Sequence, residues 1–252
     1  MAGPGRVVFW DFDGTLARRH DMWSGALVDV LRSFDPRTKV TAEQVRPWLQ
    51  DGFPWHSPDT VREGQSAEQW WSALRPLLVS AFTGVGLGPA EAARAASRVP
   101  DQYYRPDAWT VVEGAEQALQ TIAAAGFRNV VLSNHGPELP TLVDALGLGR
   151  HVETTITSAA VGAEKPNPAI FVHARRATGL EAGDEAWMVG DNPVADVQGA
   201  LTSGLRAVLV ADAPEGVGAV EAVTVLQAAR LVVAGGSPPV RQEATGTAAQ
   251  GG

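Results

Sequence analysis

The stretch that most constrains this chain is Arg6 to Leu16, RVVFWDFDGTL. A short apolar run, Val7 to Trp10, breaks into Asp11-Phe12-Asp13-Gly14-Thr15. Such a run suits a strand buried on both faces, as at the centre of a parallel sheet. Ligand-binding groups in parallel sheets follow the carboxyl ends of the strands. The alternation of an extended chain predicts Asp11 and Asp13 on one side and Phe12 on the other. Carboxylates held that close repel unless a cation or a shared proton offsets them. Gly14 permits a sharp turn or the close approach of a ligand, and Thr15 adds a hydroxyl. Asp and Gly are also ordinary turn residues, so taken alone the stretch also reads as an acidic turn.

The pattern beyond it is helical. Trp23, Leu27, Val30, Leu31 and Phe34 recur at helical spacing. Thr41 with Gln44, and Ser66 with Gln69, have the spacing of capping boxes. The second pair opens an amphipathic helix with Trp70, Trp71, Leu74, Leu77, Leu78 and Phe82 on its apolar side. Residues 18–107 are therefore predicted to be an all-helical insert, too long for an ordinary connection and fed by two crossings of the chain. Strand and helix then alternate, with strands expected over 129–132, 152–157, 185–189 and 207–210. Helices are expected over 115–125 and 139–146, and another opens at Asn167-Pro168, as N-cap and first residue. This predicts an α/β fold: a doubly wound, Rossmann-like parallel sheet built from residues 1–17 and 108–234. Residues 235–252, rich in Gly, Ser, Thr and Pro, are predicted to be a disordered tail.

Composition narrows the function. The length of 252 residues fits one large domain plus an insert. A net charge of -8 disfavours nucleic acid and anionic membrane surfaces as partners. With no cysteine, disulfides and thiolate metal sites are excluded. No apolar run is long enough to span a bilayer, and MAGPGR precedes the first strand without a signal-like apolar region. A cytoplasmic location is the expectation. Nothing in the pattern specifies an oligomeric state.

Four places near strand ends carry chemically loaded residues: Asp11 with Asp13, Ser133 with Asn134, Lys165, and Asp191 with Asp196. On one sheet edge they can converge. Crowded carboxylates want a hard divalent cation, and Mg²⁺ suits oxygen ligands. A lysine, a hydroxyl and nearby backbone N–H groups can hold anion oxygens. Together these describe a phosphoryl-transfer site.

The set resembles the haloacid dehalogenase (HAD) superfamily in its phosphatase branch. The first motif is Asp11-Phe12-Asp13-Gly14-Thr15-Leu16, the second Ser133-Asn134, the third Lys165 in EKPNPAIF, and the fourth Gly190-Asp191-Asn192-Pro193-Val194-Ala195-Asp196. The helical insert resembles the cap found between the first two motifs in one class of that superfamily. The resemblance implies an Mg²⁺-dependent phosphohydrolase acting on a small phosphorylated metabolite through an aspartyl-phosphate. It makes Asp11 the nucleophile and Asp13 the general acid/base. Asp11, the Asp13 carbonyl, Asp191 and Asp196 become the metal ligands. Ser133, Asn134, Gly14 and Thr15 become phosphate-binding residues, and Lys165 ties Asp11 to the phosphoryl group. Rival readings are a phosphomutase with the same motifs and a non-catalytic binding protein on the same fold. A dehalogenase, which needs neither Asp13 nor a metal, and a receiver-type signalling domain fit less well.

Around these motifs, Trp23, Trp70 and Trp71 read as cap core, and Trp55, on a loop, as a candidate substrate contact. Arg18, Arg19 and His20 either touch substrate or form a solvated linker. His135 and Asn192 read as loop packing and capping.

Overall fold

The computed structural model describes residues 5–62, 65–211 and 220–236. The first apolar run forms β1 (Arg6–Trp10) at the middle of a six-stranded sheet. The other strands of that sheet are β4 (Arg128–Ser133), β5 (Thr154–Thr157), β6 (Glu185–Gly190), β7 (Arg206–Val210) and β8 (Val220–Ala222), in the order β5-β4-β1-β6-β7-β8. Every pairing is parallel. β1 lies between β4 and β6, with Val8 opposite Asn129 on one side and Trp187 on the other.

Helices cover both faces, which is why β1 has no polar face. Val8 and Trp10 pack into a core with α6 (Ala115–Ala124) and α11 (Val225–Val233). Val7 and Phe9 point the other way, into a core with α9 (Pro168–Ala177). Asn129, a buried polar residue beside β1, is fully used. Asn129 accepts from the Trp10 indole at 2.9 Å and donates to the carbonyls of Leu119 and His151.

Between Ala17 and Val111 the chain forms the helical insert. It is entered and left through a two-stranded antiparallel ribbon, β2 (Ala17–Arg19) against β3 (Trp109–Val111). The helical pattern did not predict this ribbon. Its strands have three residues each, too few to show alternation. Inside the insert lie α1 (Met22–Phe34), α2 (Ala42–Val45), α3 (Ala67–Gly84), α4 (Pro89–Ala96) and α5 (Val99–Tyr103). Both expected capping boxes form, with Gln44 accepting from Thr41 N–H and Gln69 from Ser66 N–H. One expected apolar position departs from its stripe, and one tryptophan outside the stripes is half-exposed. Phe34 ends α1 and is 55% exposed, and Trp48 lies half-exposed in a 3₁₀ turn with its ring against Gly84.

In the core, α7 (Leu139–Ala145) and α8 (Ser158–Val161) flank β5, and α10 (Gly199–Thr202) precedes β7. β8 and α11 lie beyond the last strand expected from the pattern. Gly235 and Gly236, placed in the expected disordered tail, instead close α11, where Gly236 N–H donates to the Leu231 carbonyl. The rest of that tail, 237–252, lies outside the described residues. Among the described residues no helix is long and apolar enough to cross a membrane.

Candidate active site

The parallel sheet delivers the loaded residues to one edge. Asp11 follows β1, Ser133 ends β4, Asp191 follows β6, and Lys165 and Asp196 come from the loops beside them. They line one cavity of about 530 Å³, together with Asp13 and Asn134.

Lys165 is the hub. It is 2% exposed, and its Nζ donates to Asp11 Oδ1 at 2.7 Å, Asp196 Oδ1 at 2.6 Å and the Leu132 carbonyl at 2.9 Å. Burial works to lower its pKa, and the charges of Asp11 and Asp196 more than reverse this, so the ammonium stays protonated. Ser133 Oγ also donates to Asp11 Oδ1, at 2.8 Å. Asn134 locks the loop of Lys165 in place: its Oδ1 accepts from Lys165 N–H at 2.6 Å, and its Nδ2 donates to the Lys165 carbonyl at 2.8 Å.

Asp196 sits in a widened turn, Pro193–Gln198, where Val197 N–H reaches back five residues to the Asn192 carbonyl. Asn192 caps that turn, accepting from Val194 and Ala195 N–H groups. Its own N–H donates to Asp196 Oδ2 at 3.0 Å. Each of Asp11, Asp191 and Asp196 offers a carboxylate oxygen, and these atoms lie within 4.8 Å of one another. Burial raises the Asp191 and Asp196 pKa values. Repulsion from Asp11 adds to both, and repulsion from Asp196 adds to that of Asp191, while Lys165 opposes the shift in each. Asp191 itself is open to the cavity although protein surrounds it closely. An all-oxygen, anionic donor set of this kind fits a hard divalent cation such as Mg²⁺.

Gly14 and Thr15 do not line this cavity. Their N–H groups are spent in the turn, on the carbonyls of Ala17 and Phe12. Thr15 is fully buried and its hydroxyl has no hydrogen-bond partner. Gly14 instead makes room: at φ +82° it lies so close to Asp191 that a Cβ would be 2.0 Å from Oδ2. Of the three residues Arg18, Arg19 and His20 beyond the first motif, Arg18 and His20 stay outside the cavity, and Arg19 is not a solvated linker. It is 5% exposed and paired with Asp29 at 2.6 Å.

A model of the haloacid dehalogenase-like hydrolase family matches residues 6–204. The chain belongs to that family. This HAD-like hydrolase is 29% identical over 211 residues to human haloacid dehalogenase-like hydrolase domain-containing protein 3, covering 81% of each chain. It is 43% identical to the phosphoserine phosphatase of Thermus thermophilus over 98 residues, 38% of this chain and 39% of that one. Among solved structures, the HAD-hydrolase YfnB of Bacillus subtilis, described as bound to magnesium, superposes with a TM-score of 0.65 at 14% identity, over 92% of this chain and 99% of that one.

Two groups beside the HAD-like site meet partners that the sequence did not indicate: His135, read as loop packing, and Glu164. His135 is buried, its Nδ1 2.9 Å from Tyr104 Oη of the insert and its Nε2 3.6 Å from Asp13 Oδ1. Neither of that facing pair of atoms has a hydrogen-bond partner. Glu164, 3% exposed beside Lys165, has a buried Oε2 with no partner. Burial pushes its pKa up to about 7, against the opposing pull of the Ser158 hydroxyl and the charges of Arg62, Lys165 and His135. Only packing brings these partners together across the chain.

Proposed function

We propose that this HAD-like hydrolase is an Mg²⁺-dependent phosphohydrolase that cleaves a small phosphomonoester through an aspartyl-phosphate. The observation that carries this reading is the placement of Asp11, Asp13 and Lys165 on one cavity with the Asp11/Asp191/Asp196 carboxylate cluster. Asp11, Asp191 and Asp196 would hold the Mg²⁺, which supplies positive charge against the phosphoryl oxygens when bound.

The chain's own residues then divide the work. Lys165 holds Asp11 Oδ1 through a 2.7 Å hydrogen bond and keeps the carboxylate oriented. An Asp11 oxygen attacks phosphorus as the bond from phosphorus to the leaving oxygen breaks. Asp13, two residues on and facing the same cavity, gives its proton to that oxygen. It next takes a proton from water, which attacks phosphorus and releases inorganic phosphate, restoring Asp11. Ser133 Oγ, 2.8 Å from Asp11 Oδ1, is placed to donate to a phosphoryl oxygen instead. The helical insert acts as the cap over this site.

The test is phosphate release with Mg²⁺ across phosphorylated metabolites, for wild type and Asp11→Asn. Release on one compound class, lost in the variant, is expected. A folded wild type that isomerises a phosphorylated substrate without net release would be a phosphomutase. One that does neither would be a binding protein.

A further inference from the structure

The cavity has a second wall, and it is not built for charge. Besides the carboxylates, the cavity is lined by Met22, Trp23, Trp55 and Pro58 from the helical insert and by Val194 and Ala195 from the core. Among the described residues lining the cavity, Lys165 is the one cation, and its three donated hydrogen bonds go to Asp11, Asp196 and the Leu132 carbonyl. Among the described residues that line the cavity there is no second positive group. A carboxylate or second phosphate there would lose water without gaining a cationic partner.

The aromatic wall is braced. The Trp55 ring stacks on Phe53 with centroids 4.4 Å apart and planes 9° from parallel. Trp23 stacks on Tyr103 at 4.1 Å and lies 6.0 Å from Trp55. Rigid rings bind a flat apolar partner with little further ordering. An independent sign comes from the backbone. Asp21 and Met22, the two residues that start α1, have φ of +54° and +45°. Consecutive left-handed residues other than glycine are uncommon and cluster at functional sites. Here they turn the chain so that Met22 reaches the cavity.

We infer that the substrate is a phosphomonoester whose leaving group is aromatic or otherwise apolar and carries no second anion. This rests on the phosphohydrolase reading for the chemistry at the anionic end, but the selection itself is a property of the wall. It sets this chain apart from esters that carry a carboxylate next to the phosphate.

The experiment compares two phosphonates that cannot be hydrolysed, benzylphosphonate and 3-phosphonopropionate, by calorimetric titration of the full chain in excess Mg²⁺. Turnover of benzyl phosphate is measured beside phosphoglycolate and phosphoserine, all esters of primary alcohols. Benzylphosphonate is expected to bind at least about tenfold more tightly. Trp55→Ala is expected to reduce that preference at least about fivefold. Turnover should follow the same order. Equal or tighter binding of the carboxylated phosphonate, or binding of neither, overturns the inference whatever the turnover. The expected binding order without hydrolysis of any ester upholds the selection and overturns the phosphohydrolase reading instead. The wild-type ligand comparison does not depend on how the variant folds.

Discussion

Glu164→Gln offers a quantitative check on the electrostatics beside the site. Glu164 is buried, and its pKa stands at about 7 against an ordinary value of 4.5. Between those two values the folded chain holds a proton that the unfolded chain has released. Stability therefore falls as pH rises through that window. The full difference, at about 1.4 kcal/mol per pH unit, is about 3 kcal/mol. Between pH 5 and pH 8 about 2.5 kcal/mol of it is expressed, because the unfolded carboxyl is already mostly ionised at pH 5. Glutamine keeps the shape of the protonated acid and cannot ionise. Urea denaturation of both proteins at pH 5 and pH 8, in EDTA, reads the effect directly. Wild type should lose about 2 to 3 kcal/mol more than the variant across that interval. Other titrating groups contribute equally to both proteins and cancel in the comparison. Parallel losses, within about 0.5 kcal/mol, would refute the reasoning and mean that Glu164 is ionised in the folded chain.

Other outcomes follow from the same geometry. Gly14→Ala places a methyl on Asp191 and an L-residue at φ +82°, so it should weaken divalent-cation binding in a calorimetric Mg²⁺ titration and lower stability by about 1–3 kcal/mol. Lys165→Met leaves Asp11 and Asp196 without their shared cation. It should destabilise the metal-free chain by about 3–5 kcal/mol near neutral pH. The loss should shrink at pH 5, where the carboxyls can take up protons, as paired denaturation curves would show. Asp13→Asn should lower kcat by about 10² to 10⁴ while acid-quenched protein still carries labelled phosphate.

Much of the core was legible because its strands are short apolar runs that end in polar residues. Val7 to Trp10 suits a strand buried on both sides, and the alternation of Asp11, Phe12 and Asp13 follows from that. The helix starts were equally readable, since Asn167 and Ser66 carry their cap chemistry in their own side chains. What stayed hidden depends on packing. β2 and β3 become strands by pairing with each other, and Ala-Arg-Arg shows no preference for it. Arg19 looks like a solvated cation until α1 brings Asp29 to it. Trp23 falls on a helical stripe, so its spacing predicts core; the ring is buried and also meets the cavity, a double role no periodicity can show. The partners of His135 and Glu164 lie on other elements, with Tyr104 of the insert closing the ring from above.

The two glycines of the site bear on how other sequences should be read. A Cβ at Gly14 would meet Asp191 Oδ2 at 2.0 Å, and one at Gly190 would meet Asp196 Oδ2 at 2.1 Å. Asp196 has no room to yield, held by Lys165 and by the Asn192 N–H. Each of the two acids thus occupies space left by an absent side chain. A related chain could keep every acid and the lysine and still be inert, disabled by one methyl group at either position. Inspection of the charged residues alone would pass such a chain as active, so the diagnostic alphabet of this site includes two residues that have no functional group at all.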